Sequence, residues 1–489
     1  MNRIKKNHVR IFLVLIVWYC TYLLLYKLWV QSLWIDEWFC SYVAKYMALN
    51  WLYKSKYFLF EWLQVLFFKI WWFNDFWARF PSVIAHIWSI LLIYFIPYKL
   101  CKNKYVWFFS ALIFGLLYWE IWRWRDARFY SLLQFLFLGW ITSIIQWMET
   151  KKTIYLNSAI IITCLGVIFH PFLYVLGVIL FFTIIQQYKK SRNFNEIFSK
   201  KFLSTWILVW LLIIAATFFG SIWNNLSGSL LWNKQKWYIE LYFREYNAHL
   251  RDQLWIIYVI WLLWMVRSII KAIWKREFKN LILFLCPFVL FAYALVIKWY
   301  LLHYRYALLL FPIIILSATV LVFDITKLIK NKYINIIAVC GVLVWIGFTA
   351  KMQYLPTAYY YFDYTSPQPD FKWAYESIPD WQKVISGFPT LCNRYYSNRW
   401  NCINAIRVDL IHDWKTEKLL NKTDESYTKA PYINTLDDLS SWTYYFVVDN
   451  LTQKSSNINR KLYDQIHQYW ITTFRSWSGY NNIVVIKIQ

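Results

Sequence analysis

Carboxylates and cationic side chains stand beside long apolar segments of this chain, where a charge is costly and therefore needs a reason. Asp36 and Glu37 are neighbours in "SLWIDEWFC", and Asp126 lies among arginines in "WRWRDARFY". A carboxylate could activate a hydroxyl group, and an arginine such as Arg128 could hold an anionic phosphate. Further candidates at the ends of later apolar segments are His170, His303 and Arg305.

Each of these residues also has a purely structural interpretation. Glu37 could cap the helix that follows it, because an acidic residue is favoured near a helix N-terminus. Asp126 could pair with a neighbouring arginine, and His170 and His303 could be polar residues at helix ends. No spacing among the histidines and cysteines forms a metal motif. A divalent metal at the histidines stays open, and no cofactor is assigned.

Composition identifies the elements that must position these residues. The 489 residues are 60% hydrophobic, 23% aromatic and only 16% charged, which leaves too little polar surface for a soluble domain. Apolar runs recur at about the length that crosses a hydrocarbon core. The first runs from Ile11 to Trp29. Further spans are predicted at 81–98, 105–121, 128–147, 153–169, 171–188, 203–223, 253–273, 279–298, 305–323 and 333–350, about eleven in all.

Basic residues lie in alternate loops between these spans, which predicts the topology. The net charge of +26 forms no single basic face, so nucleic acid is not an expected partner. Basic loops follow the second, fourth, sixth, eighth and tenth spans and share a side with the basic N-terminus, which is therefore predicted to be cytoplasmic. Residues 31–79, the connection around Asp126, and everything after Lys351 are then on the outer side.

The polar C-terminal residues predict a second domain. The expected division is a transmembrane domain at 1–352, with a long first outer loop at 31–79, and an extracytoplasmic α/β domain at 353–489. Strand-like runs at Lys383–Ser386, Tyr444–Val448 and Ile483–Ile488 alternate there with a helical pattern near Phe371. Cys392 and Cys402 form either a disulfide or two free thiols. In the outer loop, Phe58–Trp72 suits a helix lying in the membrane interface.

Four segments, in order, resemble the GT-C superfamily of integral-membrane glycosyltransferases, especially the bacterial branch related to protein O-mannosyltransferases and aminoarabinose transferases. "LWIDEWFCSYVAKY" is similar to the family's first outer loop, which carries an Asp–Glu pair. The other matches are Arg79, Pro81 and Ser82 in "WARFPSV", Ala127, Arg128 and Tyr130 in "DARFYSL", and Arg305, Tyr306 and Pro312 in "HYRYALLLFP". One segment departs from the family: "YFLFEWLQ" replaces His-Pro-Pro-like residues, with Glu61 near that place.

The resemblance implies transfer of a sugar from a polyprenyl-phosphate carrier to an acceptor hydroxyl on a protein, a lipid or a glycan at the outer face of a bacterial plasma membrane. Asp36 is then the expected base for an inverting displacement, with Glu37 and Asp126 as further catalytic candidates. The expected ligands of substrate or phosphate are Arg79, Arg128, Tyr130, His170, His303 and Arg305.

Two other classes remain as alternatives. A transporter or flippase of lipid-linked sugars would place polar residues in broken helices near mid-membrane. A receptor or scaffold would act through the C-terminal domain and would leave the charged outer loops unexplained.

Overall fold

A computed structural model defines most of the predicted membrane region and part of the C-terminal region. The residues that the structure describes are 2–30, 33, 35–50, 58–101, 104–169, 176–177, 179–181, 183–184, 248–275, 308–357, 361–362, 366–367, 371–379, 381–386, 402–404, 444–449, 464–465, 471–475 and 483–488. The spans predicted at 203–223 and 279–298 lie outside these residues, and the span at 171–188 is described only in part.

The described part of the chain is mostly helical. The helices are α1 Asn2–Leu25, α2 Ile35–Asn50, α3 Phe58–Ile70, α4 Asp75–Cys101, α5 Lys104–Leu116, α6 Tyr118–Trp124, α7 Tyr130–Thr150, α8 Thr153–Phe169, α9 Ile256–Lys275, α10 Phe311–Thr326, α11 Lys332–Thr349 and α12 Phe371–Glu376. Within the described ranges, three helical segments are long and apolar enough to cross a membrane, at Asp75–Ile96, Tyr130–Thr150 and Ile256–Trp274. Shorter apolar helices accompany them, and the chain is an integral membrane protein.

The chain divides into two compact units. The first contains Met1–Leu25, Lys54–Phe60 and Phe80–Pro356, and the second contains Tyr26–Tyr53, Glu61–Arg79 and Thr357–Gln489. In the first unit α7 packs against α8, and α9 packs against α10. Helix α5 packs against both α1 and α10. Helix α11 begins at a side-chain cap: the Asn331 side chain accepts hydrogen bonds from the backbone N–H groups of Tyr333 and Ile334 at 2.9 and 3.3 Å.

The span predicted at 105–121 is not one continuous helix. α5 ends at Leu116, and Leu117 is extended with φ −65° and ψ 124° before α6 begins. The chain that leaves α11 satisfies the backbone groups at this break. The N–H of Tyr118 donates to the Lys351 carbonyl at 2.8 Å, and the N–H of Gln353 donates to the Leu116 carbonyl at 2.7 Å. A helix can break among apolar residues because a second segment of the same chain provides these bonds.

In the second unit, a five-stranded sheet forms from the C-terminal residues. Its strands are β3 Lys383–Ser386, β4 Cys402–Asn404, β5 Tyr444–Asp449, β6 Ile471–Arg475 and β7 Ile483–Ile488. Two short strands, β1 Tyr361–Phe362 and β2 Ser366–Pro367, pair separately with each other. The large sheet has the order β4-β3-β5-β7-β6, with β3 parallel to β4 and β5 and with β7 antiparallel to β5 and β6. Its strands bury Ile385, Phe446 and Ile486, and α12 packs against β7. Strands and a helix are therefore present where the sequence predicted them, while the limits of the domain stay a prediction.

Candidate active site

Helices α2, α3 and the start of α4 bury an unusual number of polar side chains in the second unit. On α2 the buried polar residues are four positions apart, so they share one face of the helix. Apolar cores rarely contain so many charged groups unless these are paired. The buried polar residues are Glu37, Ser41 and Lys45 of α2, Glu61 and Gln64 of α3, and Asp75 and Arg79 of α4.

Glu37 and Arg79 form a buried, two-point ion pair. The Arg79 Nε atom lies 2.9 Å from Oε1 of Glu37, and Nη2 lies 3.0 Å from Oε2. The remaining terminal nitrogen of Arg79 donates to the Leu28 carbonyl at 2.9 Å. Both side chains are at most 3% exposed. The paired geometry is the strong, orienting form of an Arg–carboxylate contact, and it ties the beginning of α2 to α4.

Asp36 is the second residue of α2 and directly precedes the paired Glu37. Only its backbone falls within the described residues. The predicted role of Asp36 as the base therefore stays a prediction. The ion pair of Glu37 nevertheless fixes the helical turn that carries Asp36.

Lys45 and Gln64 extend the buried polar face of α2. Gln64 Nε2 donates to the Ser41 hydroxyl at 3.3 Å and to the Ala78 carbonyl at 2.8 Å, which joins all three helices. The Lys45 ammonium lies 5.4 Å from the centre of the Phe73 ring. Burial disfavours the charged amine and lowers the pKa of Lys45 from 10.5 to about 8.

The end of α6 and the turn before α7 carry three buried arginines in the first unit, Arg123, Arg125 and Arg128. Arg123 Nη1 lies 3.0 Å from Asp126 Oδ2, and its guanidinium lies 4.0 Å from the Trp122 ring centre. Arg125 donates to the carbonyls of Leu23 and Leu24 at 3.0 and 3.1 Å. These carbonyls belong to the last turn of α1, where a helix leaves acceptors unused. The ion pair between Asp126 and Arg123 matches one of the two roles that the sequence allowed for Asp126, that of a partner for an arginine.

Arg128, of the "DARFYSL" segment, is buried two residues before α7 begins. Its guanidinium carbon lies 4.9 Å from the Tyr130 ring centre, and its side chain is largely inaccessible. Its backbone carbonyl accepts a hydrogen bond from the Ser82 hydroxyl at 3.1 Å. Ser82 belongs to the "WARFPSV" segment, so two of the matched segments touch directly.

Sequence reasoning missed Glu120, which is fully buried on α6. Its two oxygens accept from Trp124 Nε1 at 2.5 Å and from Gln134 Nε2 at 3.1 Å. Gln134 Nε2 also donates to the Leu308 carbonyl at 2.7 Å. The signal was present in the sequence as a single acid within the apolar run "FGLLYWEIW". Because Glu120 falls within the span predicted at 105–121, it was interpreted as part of that span and not as a site residue.

Several predicted site residues lie outside the described part of the chain. They are His170, His303 and Arg305, together with Cys392 of the candidate disulfide. Among the residues that the structure does describe, no group of three histidine, cysteine or acidic side chains could hold a metal ion. Binding of a divalent metal at His170 and His303 therefore stays a hypothesis from the sequence.

The chain is similar to several solved structures of known proteins. The aminoarabinose transferase ArnT from Cupriavidus metallidurans, solved with undecaprenyl phosphate, is 10% identical, with a TM-score of 0.58 over 96% of this chain and 97% of that one. Its apo structure is 8% identical, with a TM-score of 0.57 over the same shares of the two chains. The oligosaccharyltransferase AglB from Archaeoglobus fulgidus, solved with an inhibitory peptide and a dolichol-phosphate, is 11% identical with a TM-score of 0.48, over 82% of this chain and 64% of that one. No protein-family model matches the sequence, and no curated protein matches it.

Proposed function

We propose that this chain, whose fold is that of the GT-C glycosyltransferases, transfers a sugar from a polyprenyl-phosphate carrier to an acceptor hydroxyl. The observation that carries the proposal is the buried segment formed by the end of α6 and the turn before α7, where Arg123, Arg125 and Arg128 lie near Asp126. Arginine is suited to phosphate because its planar fork meets two oxygens at once. The undecaprenyl phosphate in the ArnT structure supports this donor class.

The proposed chemistry is a one-step, inverting displacement. Asp36 takes the proton of the acceptor hydroxyl as the new oxygen–carbon bond forms at the anomeric carbon. The bond from that carbon to the phosphate oxygen breaks, and its electron pair leaves with the lipid phosphate. Arg128 and Arg305 stabilise the charge that grows on this phosphate. Tyr130 lines the donor site, and His170 and His303 are further candidates for the phosphate or for a divalent metal.

The remaining elements of the proposal are topological. The chain crosses a bacterial plasma membrane about eleven times, with a cytoplasmic N-terminus and an extracytoplasmic α/β domain at 353–489. This arrangement is supported by the alternation of basic loops in the sequence. The acceptor is a protein, a lipid or a glycan that reaches the outer face.

A transfer assay in detergent separates this function from that of a lipid-linked sugar transporter. The purified full chain is mixed with a radiolabelled polyprenyl-phosphate sugar and with envelope extract as the source of acceptor. We expect label to move from the carrier to a new product without any sealed membrane. A transporter would give no product in detergent and would move the labelled lipid only across the wall of a proteoliposome. That result would overturn the proposal of a glycosyltransferase in favour of a transporter.

A further inference from the structure

We propose that Glu120, Gln134 and the Leu308 carbonyl form a buried clasp that positions the arginine-rich segment of the donor-phosphate site, which carries Arg123, Arg125 and Arg128. This inference rests on the proposed function and adds residues to it that neither the sequence nor the resemblance indicated. Glu120 and Gln134 act through the arginines and are positioning residues, not catalytic ones.

The clasp is a connected set of hydrogen bonds in the interior of the first unit. Glu120 and Gln134 are both inaccessible to solvent. Each carboxylate oxygen of Glu120 accepts one bond, from Trp124 at 2.5 Å and from Gln134 at 3.1 Å. The same Gln134 nitrogen reaches the Leu308 carbonyl at 2.7 Å. Helices α6 and α7 are thereby joined to the residues that lead into α10.

The clasp encloses the arginine-rich turn in the sequence. Arg123, Arg125 and Arg128 all lie between Glu120 and Gln134, so the Glu120–Gln134 bond closes the base of the turn that presents them. The bond to the Leu308 carbonyl attaches the same segment to the residues that lead into α10. Gln134 therefore holds the segment that carries Arg128 at two points, Glu120 and Leu308. A small shift of such ligands is enough to weaken binding of a charged group.

The alternative is that these hydrogen bonds only stabilise the fold. The chain offers a matched control for that alternative. Trp140 on α7 donates to the Thr163 hydroxyl on α8 at 3.0 Å, also in the interior. This bond likewise ties α7 to a neighbouring helix, but its residues enclose none of the proposed phosphate ligands. Removing it should cost stability without any specific effect on the donor site.

A double-mutant cycle on the full chain in detergent tests the clasp. The probe is undecaprenyl phosphate, and both its dissociation constant and the melting temperature are measured for Gln134→Met, Arg128→Ala and the double variant. We expect Gln134→Met to weaken binding about tenfold in the wild-type background and less than about twofold when Arg128 is already alanine, because contacting or coupled residues are not additive. Thr163→Val should lower the melting temperature while leaving the dissociation constant unchanged.

The outcomes separate the clasp from the proposed function. Wild-type chain that does not bind undecaprenyl phosphate would remove the donor class, and the clasp with it. Wild-type binding with equal losses for Gln134→Met in both backgrounds, or with no loss, would overturn the clasp and leave the donor class standing. Where Gln134→Met does not fold, Glu120→Gln takes its place in the same cycle. That variant keeps the side-chain shape but turns an amide donor toward the two donors of the clasp.

Discussion

At the scale of single residues, Arg79 shows how an expected substrate ligand can have its nitrogens occupied within its own chain. Its three nitrogens bond to Glu37 and to the Leu28 carbonyl. Removing one partner of a buried pair leaves an uncompensated charge and costs about 3–5 kcal/mol, whereas removing both is often nearly neutral. We therefore expect Glu37→Met and Arg79→Met each to lower the melting temperature strongly, and the double variant to regain most of the loss.

Activity then decides between the two roles of Arg79. If the pair only positions the turn that carries Asp36, transfer activity should return with the melting temperature in the double variant. A double variant with a restored melting temperature and no activity would return Arg79 to the substrate site that the sequence predicted.

Of the two candidate bases, Asp126 is the one whose side-chain contacts the structure describes. Asp126 forms an ion pair with Arg123 at 3.0 Å, so its carboxylate already has a partner within the chain. We expect Asp36→Asn to lose about 10²–10⁴-fold in turnover while it still binds undecaprenyl phosphate, since a general base contributes on that scale. Asp126→Asn should chiefly lower the melting temperature. Near-normal turnover of Asp36→Asn together with a dead Asp126→Asn would exchange their roles.

The lowered pKa of Lys45 predicts that the stability of the folded chain depends on pH. Its pKa is about 8 in the folded chain against an ordinary value of 10.5, so between these values the unfolded chain holds a proton that the folded chain does not. Stability therefore rises with pH across this window, and below pH 8 the full cost of the buried ammonium is present. The melting temperature of the wild type relative to Lys45→Met should increase from pH 7.5 to pH 9.5. Lys69→Met, at an exposed position on α3, serves as the control and should show no such trend.

At the scale of elements, α3 has its polar and apolar faces reversed relative to a soluble helix. Glu61 and Gln64 are inaccessible, while Trp62, Leu66 and Ile70 are exposed. Exposed Trp71 and Trp72 follow at the end of the helix, and the Trp71 ring stacks on Trp77 with 4.4 Å between centres. The sequence predicted an amphipathic interfacial helix but could not show that its acidic group points inward.

The exposed apolar stripe of α3 predicts contact with lipid. A photoreactive benzoylphenylalanine at Leu66 should cross-link to phospholipid when the chain is held in a nanodisc, because tryptophan-rich apolar faces settle at the headgroup boundary. The same probe at Trp381, an even more exposed residue of the C-terminal region, should not. Equal cross-linking at both positions would mean that α3 does not lie in the interface.

The helix break at Leu117 marks the limit of what the sequence could predict at this scale. α7 and α8 were placed within a few residues because their apolar runs are uninterrupted and the basic pair Lys151 and Lys152 separates them. The break between α5 and α6 interrupts an equally apolar run, and its bonding partners at Lys351 and Gln353 are more than two hundred residues away. Local patterns carry no information about such a partner. For the same reason the Glu120–Gln134–Leu308 clasp could not be predicted.

At the scale of the whole molecule, the order of motifs along the chain predicted the fold better than any one motif did. Identity to the ArnT structures is only 8–10%, yet the fold extends over 96% of the chain. Apolar spans and their spacing are set by the thickness of the bilayer, so they persist when individual residues change. Side-chain partners depend on packing and do not follow from spacing. The bond between Ser82 and the Arg128 carbonyl is one example.

The orientation of the chain in the membrane is the prediction on which the proposed site depends. Basic loops on the N-terminal side predict that residues 31–79, the turn that carries Arg128, and the region after Lys351 all lie on the outer face. Alkaline phosphatase folds only outside the cytoplasm, where its disulfides can form. Fusions after Lys351 should therefore be active, and fusions near Lys190 should be inactive although expressed at similar levels. The reverse pattern would put every proposed catalytic and phosphate-binding residue in the cytoplasm, where acceptors of the outer face cannot reach them.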